Sequence, residues 1–177
     1  MWPPVVVASI AAALIANADA SAAATGAFLP PDRVVLVDST GKLVARSLNE
    51  TLVLVTAGIG VVAPASIRPI YDADGRVTSG LATWQAGGSV LFTSSDCTAG
   101  AHVHSSTHAG VRATTQVQTP AGIMLHVGTV GPAGTVAIRS ILYDTGCAPV
   151  TVQANGLLPV VTILNLSTAY PPPLAFQ

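Results

Sequence analysis

Short runs of apolar and β-branched residues recur along the chain after residue 30, and one run alternates clearly between apolar and polar positions. The clearest case is residues 111–118 (VRATTQVQ), where small or apolar side chains hold the odd positions and polar side chains the even ones. Such alternation places the two sets of side chains on opposite faces of an extended chain. It predicts a half-buried β-strand over 111–118.

Further strand candidates follow at intervals of about 10–14 residues, separated by Gly, Pro or Asp turns, with no helical period after the N-terminal segment. This spacing is typical of all-β sandwiches and barrels. We therefore expect an all-β fold, an antiparallel sandwich or barrel of roughly eight to ten short strands after an N-terminal signal helix. The candidate strands are 33–37, 42–48, 51–62, 67–71, 76–84, 89–93, 111–118, 123–130, 135–143, 151–154 and 158–166.

Two short segments carry the turn chemistry of β-hairpins. Asp38–Gly41 (DSTG) and Asp72–Gly75 (DADG) each begin with Asp and end with Gly. Aspartate bonds to the backbone that follows it, and glycine accepts a positive φ. Asp72–Gly75 also resembles the opening of a calcium loop, but the later oxygen ligands and the final Glu are missing. A hairpin turn is the simpler interpretation.

The N-terminus carries a compact apolar segment. Val5–Ala16 (VVVASIAAALIA) is uninterrupted, and it is shorter than the roughly 20 residues that a membrane-spanning helix needs. Its length fits the apolar region of a secretory signal peptide, and small residues beyond it offer cleavage sites between Ala18 and Ala24. The preceding Met1–Pro4 has no Lys or Arg, and a membrane anchor or a buried first strand stays open as an alternative.

These features predict a domain organisation and a location. Residues 1–24 are expected to form a signal peptide, 25–169 a single all-β domain, and 170–177 a Pro-rich, extended and peripheral tail. The mature protein would have no membrane span and would be secreted, periplasmic or at the cell surface.

Charge is scarce in this chain. Charged residues make up 8% of the sequence, hydrophobic residues 50%, and the formal net charge is −1. A chain without a basic field has little to attract phosphate backbones, so we expect no nucleic-acid binding. High apolar content with low net charge also predicts a folded chain. The sequence does not identify a partner, and it is compatible with a homo-oligomer or with a cell-surface partner.

The chain has two cysteines, Cys97 and Cys147, and each follows a predicted strand. In an exported protein with two cysteines, one intramolecular disulfide is the economical interpretation. Closing a loop of this size would stabilise the fold by about 4 kcal/mol in the chain-entropy model. A reactive or metal-binding thiol pair is the alternative, without a C-x-x-C spacing to favour it.

Two segments carry a resemblance to a group of proteins. Val35–Val44 (VLVDSTGKLV) and Leu91–Gly100 (LFTSSDCTAG) resemble segments of small secreted bacterial all-β proteins of uncharacterised function. In those proteins a hairpin of this kind precedes a strand that ends in Asp-Cys. The resemblance covers mainly residues 33–100. It implies export and β structure, and it transfers no catalytic residue to this chain.

The histidines suggest the one candidate for metal chemistry. His102, His104 and His108 share one parity, so an extended segment would point them to one face. Two such imidazoles, completed by His108 or His126, could hold zinc or copper. A solvated polar turn is the competing interpretation, because Ser105–Thr107 interrupts the run and Asp96 is the nearest carboxylate.

No set of residues in the sequence assembles into a recognisable catalytic motif, and in particular no G-x-S-x-G segment is present. We therefore expect an exported, non-enzymatic envelope or extracellular protein with a structural or binding role and no cofactor. The alternative is a metal-binding protein or metal-dependent enzyme that uses the histidines with zinc or copper.

Overall fold

A computed structural model describes residues 35–49, 51–58, 60–106 and 111–177. The described chain is nearly all β and antiparallel, which confirms the predicted fold class, with twelve strands rather than eight to ten. The predicted signal segment lies outside the described residues. The strands are β1 (Val35–Val37), β2 (Leu43–Asn49), β3 (Leu52–Thr56), β4 (Val62–Tyr71), β5 (Val77–Trp84), β6 (Val90–Phe92), β7 (Ala101–His104), β8 (Thr114–Thr119), β9 (Gly122–Gly128), β10 (Gly134–Tyr143), β11 (Gly146–Asn165) and β12 (Leu174–Phe176).

A single short helix, α1 (Leu166–Ala169), is present in the described part of the chain. The side chain of Asn165 accepts a hydrogen bond from the Thr168 amide at 3.1 Å and caps its N-terminus. No helix among the described residues has the length and apolar character needed to cross a bilayer.

Six strands pair into a closed antiparallel barrel, in the order β1-β12-β5-β4-β3-β2. Closure pairs every strand on both sides, so this part of the molecule has no free sheet edge. Its interior is filled mainly by Val, Ala and Leu, with Trp84 as the largest buried side chain. The Trp84 indole N–H donates to the Tyr170 carbonyl at 3.0 Å, which satisfies its one polar atom.

Both predicted hairpins are confirmed, and both use the same device. In Asp38–Gly41, Oδ1 of the Asp accepts the N–H groups of the second and fourth residues after it, at 2.9 and 3.0 Å. In Asp72–Gly75 the corresponding distances are both 2.9 Å. The two terminal glycines have φ of 81° and 76°, a region that suits glycine. The carboxylate of Asp72 is therefore engaged in its own turn.

The C-terminal segment departs from the sequence prediction. Residues 170–177 were expected to be peripheral, but β12 lies between β1 and β5 and closes the barrel. Leu174 is fully buried, and Tyr170 is 8% exposed. The proline run ends before β12, so it brings the chain back to the barrel without removing donors from the strand itself.

The other six strands form a second sheet in the order β10-β6-β7-β11-β9-β8, with a further pairing between β10 and β11. Strand β11 is continuous over 20 residues, so the prediction of separate strands 151–154 and 158–166 is wrong. Its first half pairs with β10 and its second half with β7 and then β9. Gly156, at φ 72°, is accommodated inside the strand where the partners change.

A second boundary also differs from the prediction. The candidate strand 51–62 contains the whole of β3, a turn, and the first residue of β4. The Ala57 amide donates to the Val61 carbonyl at 2.8 Å across this turn. Gly58 and Gly60 have φ of 135° and 71°, so the bend expected at these glycines is a full reversal of the chain.

The two sheets pack against each other through β9 and β8. Leu125 and Val127 of β9 belong to the same apolar core as the barrel interior. Gln116 of β8, on the polar side of the predicted alternation, is only 7% exposed. Its side chain accepts a hydrogen bond from the Ser66 amide and donates to the Ser66 carbonyl at 3.0 Å. A buried amide group thus continues the backbone pairing of β4.

Candidate functional site

A cavity of about 580 Å³ lies where the barrel meets the second sheet. We call it the inter-sheet cleft. Ser106 and Val111 at its border flank residues 107–110, which lie outside the described chain. The described lining consists of Asn49, Leu52 and Pro64 from the barrel, and His104, Ser105, Ser106, Val111, Arg112, Ala113 and Thr114 from the second sheet.

Two hydrogen bonds fix the walls of the cleft. The Thr114 hydroxyl donates to the Pro64 carbonyl at 2.9 Å, which ties the start of β8 to β4. The Ser105 amide donates to the Gly156 carbonyl at 2.7 Å, which ties the end of β7 to β11. Proline has no amide hydrogen, so Pro64 can form backbone hydrogen bonds only through its carbonyl oxygen. A side-chain hydroxyl therefore fixes β8 to the barrel at the cleft, and a main-chain bond fixes β7 within the second sheet.

Arg112 is the formally charged side chain in the described lining. It is half-buried, and its Nη1 donates to the Gly128 carbonyl at 3.3 Å. A second cavity of about 260 Å³, bordered by Thr129 and Val130, shares Arg112 as a lining residue. Arg112 therefore borders both cavities, and its guanidinium group carries several donors beyond the one bonded to Gly128.

The guanidinium of Arg112 has no carboxylate partner in the described part of the chain. The ion pair that the structure shows there joins Arg76 to Asp74 at 4.0 Å, on an exposed hairpin. A partly buried cation is stabilised by an anion or by hydrogen bonds, and here the protein supplies one carbonyl. The cleft thus combines an available positive charge with apolar walls.

The histidines predicted as metal ligands fall into two places. His102 and His104 lie on one face of β7, and Val103 between them is buried on the other face. A Cβ placed on Gly128 would lie 2.8 Å from Val103 Cγ2, so the chain at Gly128 packs against the Val103 side. His126 shares the face of β9 with Gly128. The His126 side chain therefore lies on the opposite face of the second sheet from the side chains of His102 and His104.

The remaining predicted ligand, His108, lies outside the described residues. Within the part of the chain that the structure describes, no three His, Cys, Asp or Glu side chains lie close enough to hold a metal ion. Oδ1 of Asp96, the carboxylate nearest to the histidines in sequence, accepts from the Thr98 hydroxyl at 2.7 Å. That bond holds the pKa of the Asp96 carboxyl below its usual range.

His126 is a buried histidine with an unpartnered nitrogen. It is 4% exposed, and within the described residues its Nδ1 has no hydrogen-bond partner. Burial lowers the pKa of His126 to about 4. The ring is therefore neutral at physiological pH, where an uncharged imidazole suits an apolar interior.

The two cysteines are joined by the disulfide that their number in the sequence predicts. Cys97 and Cys147 have Cα atoms 6.0 Å apart, and the bond links the loop after β6 to the start of β11. The same loop is held by Ser140, whose buried hydroxyl accepts from the Cys97 amide at 3.0 Å and donates to the Ser94 carbonyl at 2.6 Å. Both cysteines serve this cross-link, so they are not a free thiol pair.

No protein-family model, curated protein or solved structure matches the chain.

Sequence reasoning missed most of the cleft. Leu52 lies in the predicted strand 51–62 and Pro64 lies between that strand and the predicted strand 67–71, and the sequence singled out neither residue. One signal was present in the sequence, since Arg112 is the only Asp, Glu, Lys or Arg between Asp96 and Arg139. A single charged side chain in a long neutral stretch must be solvated or bound to a partner. Such a residue is therefore a candidate for ligand binding.

Proposed function

We propose that the chain is an exported, non-enzymatic binding protein of the envelope or extracellular space, and that its ligand occupies the inter-sheet cleft. The observation that carries the proposal is the cleft itself. Its volume of about 580 Å³ lies within the range of roughly 300–1,000 Å³ typical of small-molecule sites. Its lining combines apolar walls with a few hydroxyl, amide and cationic groups, as such sites do.

Export is supported by two independent features. Residues 5–16 have the length of a signal-peptide apolar region, and Cys97–Cys147 is a bond that persists in oxidising compartments. Mass spectrometry of protein recovered from outside the cytoplasm should find an N-terminus between Asp19 and Thr25. Recovery of that protein with Met1 intact would contradict the proposal of a cleaved signal peptide.

A non-enzymatic role is supported by how the described carboxylates are used. Asp38, Asp72 and Asp96 each accept hydrogen bonds from the backbone of their own turn. General acid–base chemistry needs a titratable group within reach of a bound reactant. The carboxylates of Asp38, Asp72 and Asp96 instead stabilise the turns and loops that contain them.

Ligand binding in the cleft is tested by screening small compounds against the isotopically labelled, disulfide-bonded mature protein. Binders should shift the amide resonances of Leu52 and of residues 111–114 together. Ser105→Trp, which places a bulky group on an exposed lining residue, should abolish those shifts, whereas Ser39→Trp in the first hairpin should leave them unchanged. Binders that shift resonances elsewhere and ignore Ser105→Trp would refute the proposed site.

A metal-binding role is the second candidate, and one contact favours it. His102 Nδ1 lies 2.8 Å from the Gly100 carbonyl oxygen. Histidine ligands commonly donate one ring N–H to such a group, and this leaves Nε2 free to bind a metal. His104 shares the face of β7 and lines the cleft.

A thermal melt with excess zinc, then with chelator, tests the metal candidate. Tight binding to the folded state raises the melting temperature by mass action, and His104→Ala should remove the shift. His126→Asn serves as the matched variant, because His126 faces elsewhere and should not affect a site on β7. An unchanged melting temperature with zinc would eliminate the second candidate.

A further inference from the structure

We infer that the inter-sheet cleft is selective for a small organic acid, with the carboxylate bound at Arg112 and an apolar body along the barrel wall. This inference rests on the proposed function and specifies the class of ligand. The juxtaposition that carries it is one cation, without a carboxylate partner in the described chain, in the same cavity as the apolar side chains of Leu52 and Pro64.

The position of Arg112 orients the ligand. Its Nη1 donates to the Gly128 carbonyl at 3.3 Å, which anchors the guanidinium of a residue that lines both cavities. A guanidinium has five N–H donors in a planar fork, and a carboxylate accepts two of them side by side. One carbonyl leaves enough donors for that pairing.

The charge of the cleft selects an anion. The described lining contains no Asp or Glu, so an incoming carboxylate meets no like charge there. The remaining polar groups include the Ser105 and Thr114 side chains. A cationic ligand would instead face Arg112 without a compensating carboxylate, which costs binding energy in a partly desolvated site.

The apolar walls select the body of the ligand. Pro64 is buried and Leu52 half-buried on the barrel side, while Val111 is half-buried and Ala113 buried on the opposite side. Removing an alkyl or cycloalkyl group from water against these side chains favours binding in proportion to the apolar area buried. A fully polar anion such as inorganic phosphate would leave these walls without a partner.

The inference is tested by calorimetric titration of the disulfide-bonded mature protein with octanoate and with octanamide, its neutral analogue of the same shape. Octanoate should bind, and octanamide should bind more weakly. Arg112→Gln should weaken octanoate binding about tenfold or more, as expected for losing hydrogen bonds to a charged group. Arg139→Gln, an exposed arginine on β10 outside the cleft lining, is the matched control and should leave the affinity unchanged.

Two further variants keep the result interpretable if Arg112→Gln fails to fold. Arg112→Lys retains the charge but loses the planar fork, so it should bind octanoate with intermediate affinity. Ser105→Trp should block octanoate and octanamide alike. Equal binding of octanoate and octanamide, or octanoate binding that survives both Arg112→Gln and Ser105→Trp, would overturn the inference.

Failure of this inference is distinguishable from failure of the proposed function. If octanoate does not bind but neutral compounds still shift residues 111–114, the acid selectivity is wrong and the binding role stands. If no compound of any charge perturbs those residues, both proposals fall.

Discussion

The barrel and the second sheet are both antiparallel, and they bury their apolar side chains in different ways. The barrel has one continuous core, because ring closure directs one face of all six strands inward. In the second sheet, Leu125 and Val127 of β9 join the barrel core, and the other clustered apolar side chains are divided among three small groups. These groups are Val90, Phe92 and Val117; Leu91, Ile138 and Leu157; and Val103, Ala113 and Leu158.

The difference shows that cross-links replace part of a core in the second sheet. A disulfide, the buried Ser140 hydroxyl and the Gln116 amide fasten its loops and its contact with the barrel. Its longest strand, β11, has no Asp, Glu, Lys or Arg in 20 residues. That strand nevertheless exposes Val161 and Ile163 by 54% and 51%. The second sheet therefore depends on these specific bonds more than on one continuous core.

The largest effect is expected from emptying the barrel core. Trp84 is 1% exposed and bonded to the Tyr170 carbonyl, so Trp84→Ala should destabilise the fold by about 3–5 kcal/mol. Urea unfolding followed by circular dichroism measures this loss. The control Val77→Ala, on an exposed strand position, should change stability by less than about 0.5 kcal/mol. A Trp84→Ala protein as stable as the parent would contradict the central role of the barrel core.

Removing the disulfide should weaken the second sheet first. The double variant Cys97→Ala/Cys147→Ala should lose about 2–4 kcal/mol, because the unfolded chain regains the freedom of a long loop. Hydrogen exchange should accelerate in β6, β7 and the first half of β11 before it accelerates in the barrel. Uniform acceleration through both sheets would show that the two regions unfold as one unit.

Acid should destabilise the fold through His126. Its pKa is about 4 in the fold and about 6.5 when unfolded, so the unfolded state binds more protons between those values. The stability is therefore full above pH 6.5 and declines as the pH falls towards 4, by about 3 kcal/mol for this shift.

The acid effect is measured as the difference in unfolding free energy between pH 7.5 and pH 4.5. His126→Leu should remove most of that difference, whereas His104→Asn, on an exposed position, should retain it. A difference that persists unchanged in His126→Leu would assign acid sensitivity to other groups.

The smallest effect concerns the joint between the two sheets. Gln116→Ala leaves the Ser66 amide and carbonyl without their side-chain partner, so a loss of about 1–3 kcal/mol is expected. Gln118→Ala, on an exposed residue of the same strand, is the control. Exchange of the Ser66 amide should accelerate in Gln116→Ala alone, and equal behaviour of the two variants would show that the bridge adds nothing.

Local features of the sequence were enough to predict the fold class and several of its parts. Side-chain alternation predicted a strand over 111–118, and the structure has one at Thr114–Thr119. The Asp and Gly residues of each hairpin predicted its turn, because their effects on the backbone are confined to that turn and the residue directly after it. The cysteine pairing also followed from the sequence, since the chain offers only two cysteines.

The sequence could not determine which strands are neighbours. Leu174–Phe176 was expected to be peripheral, and its place between β1 and β5 depends on closure with residues far away in the chain. The cleft arises in the same way, because Pro64 and Arg112 line one cavity only after Gln116 and Thr114 bind β4. Alternation and turn chemistry act over a few residues, whereas pairing between distant strands depends on contacts that form only when the whole chain has folded.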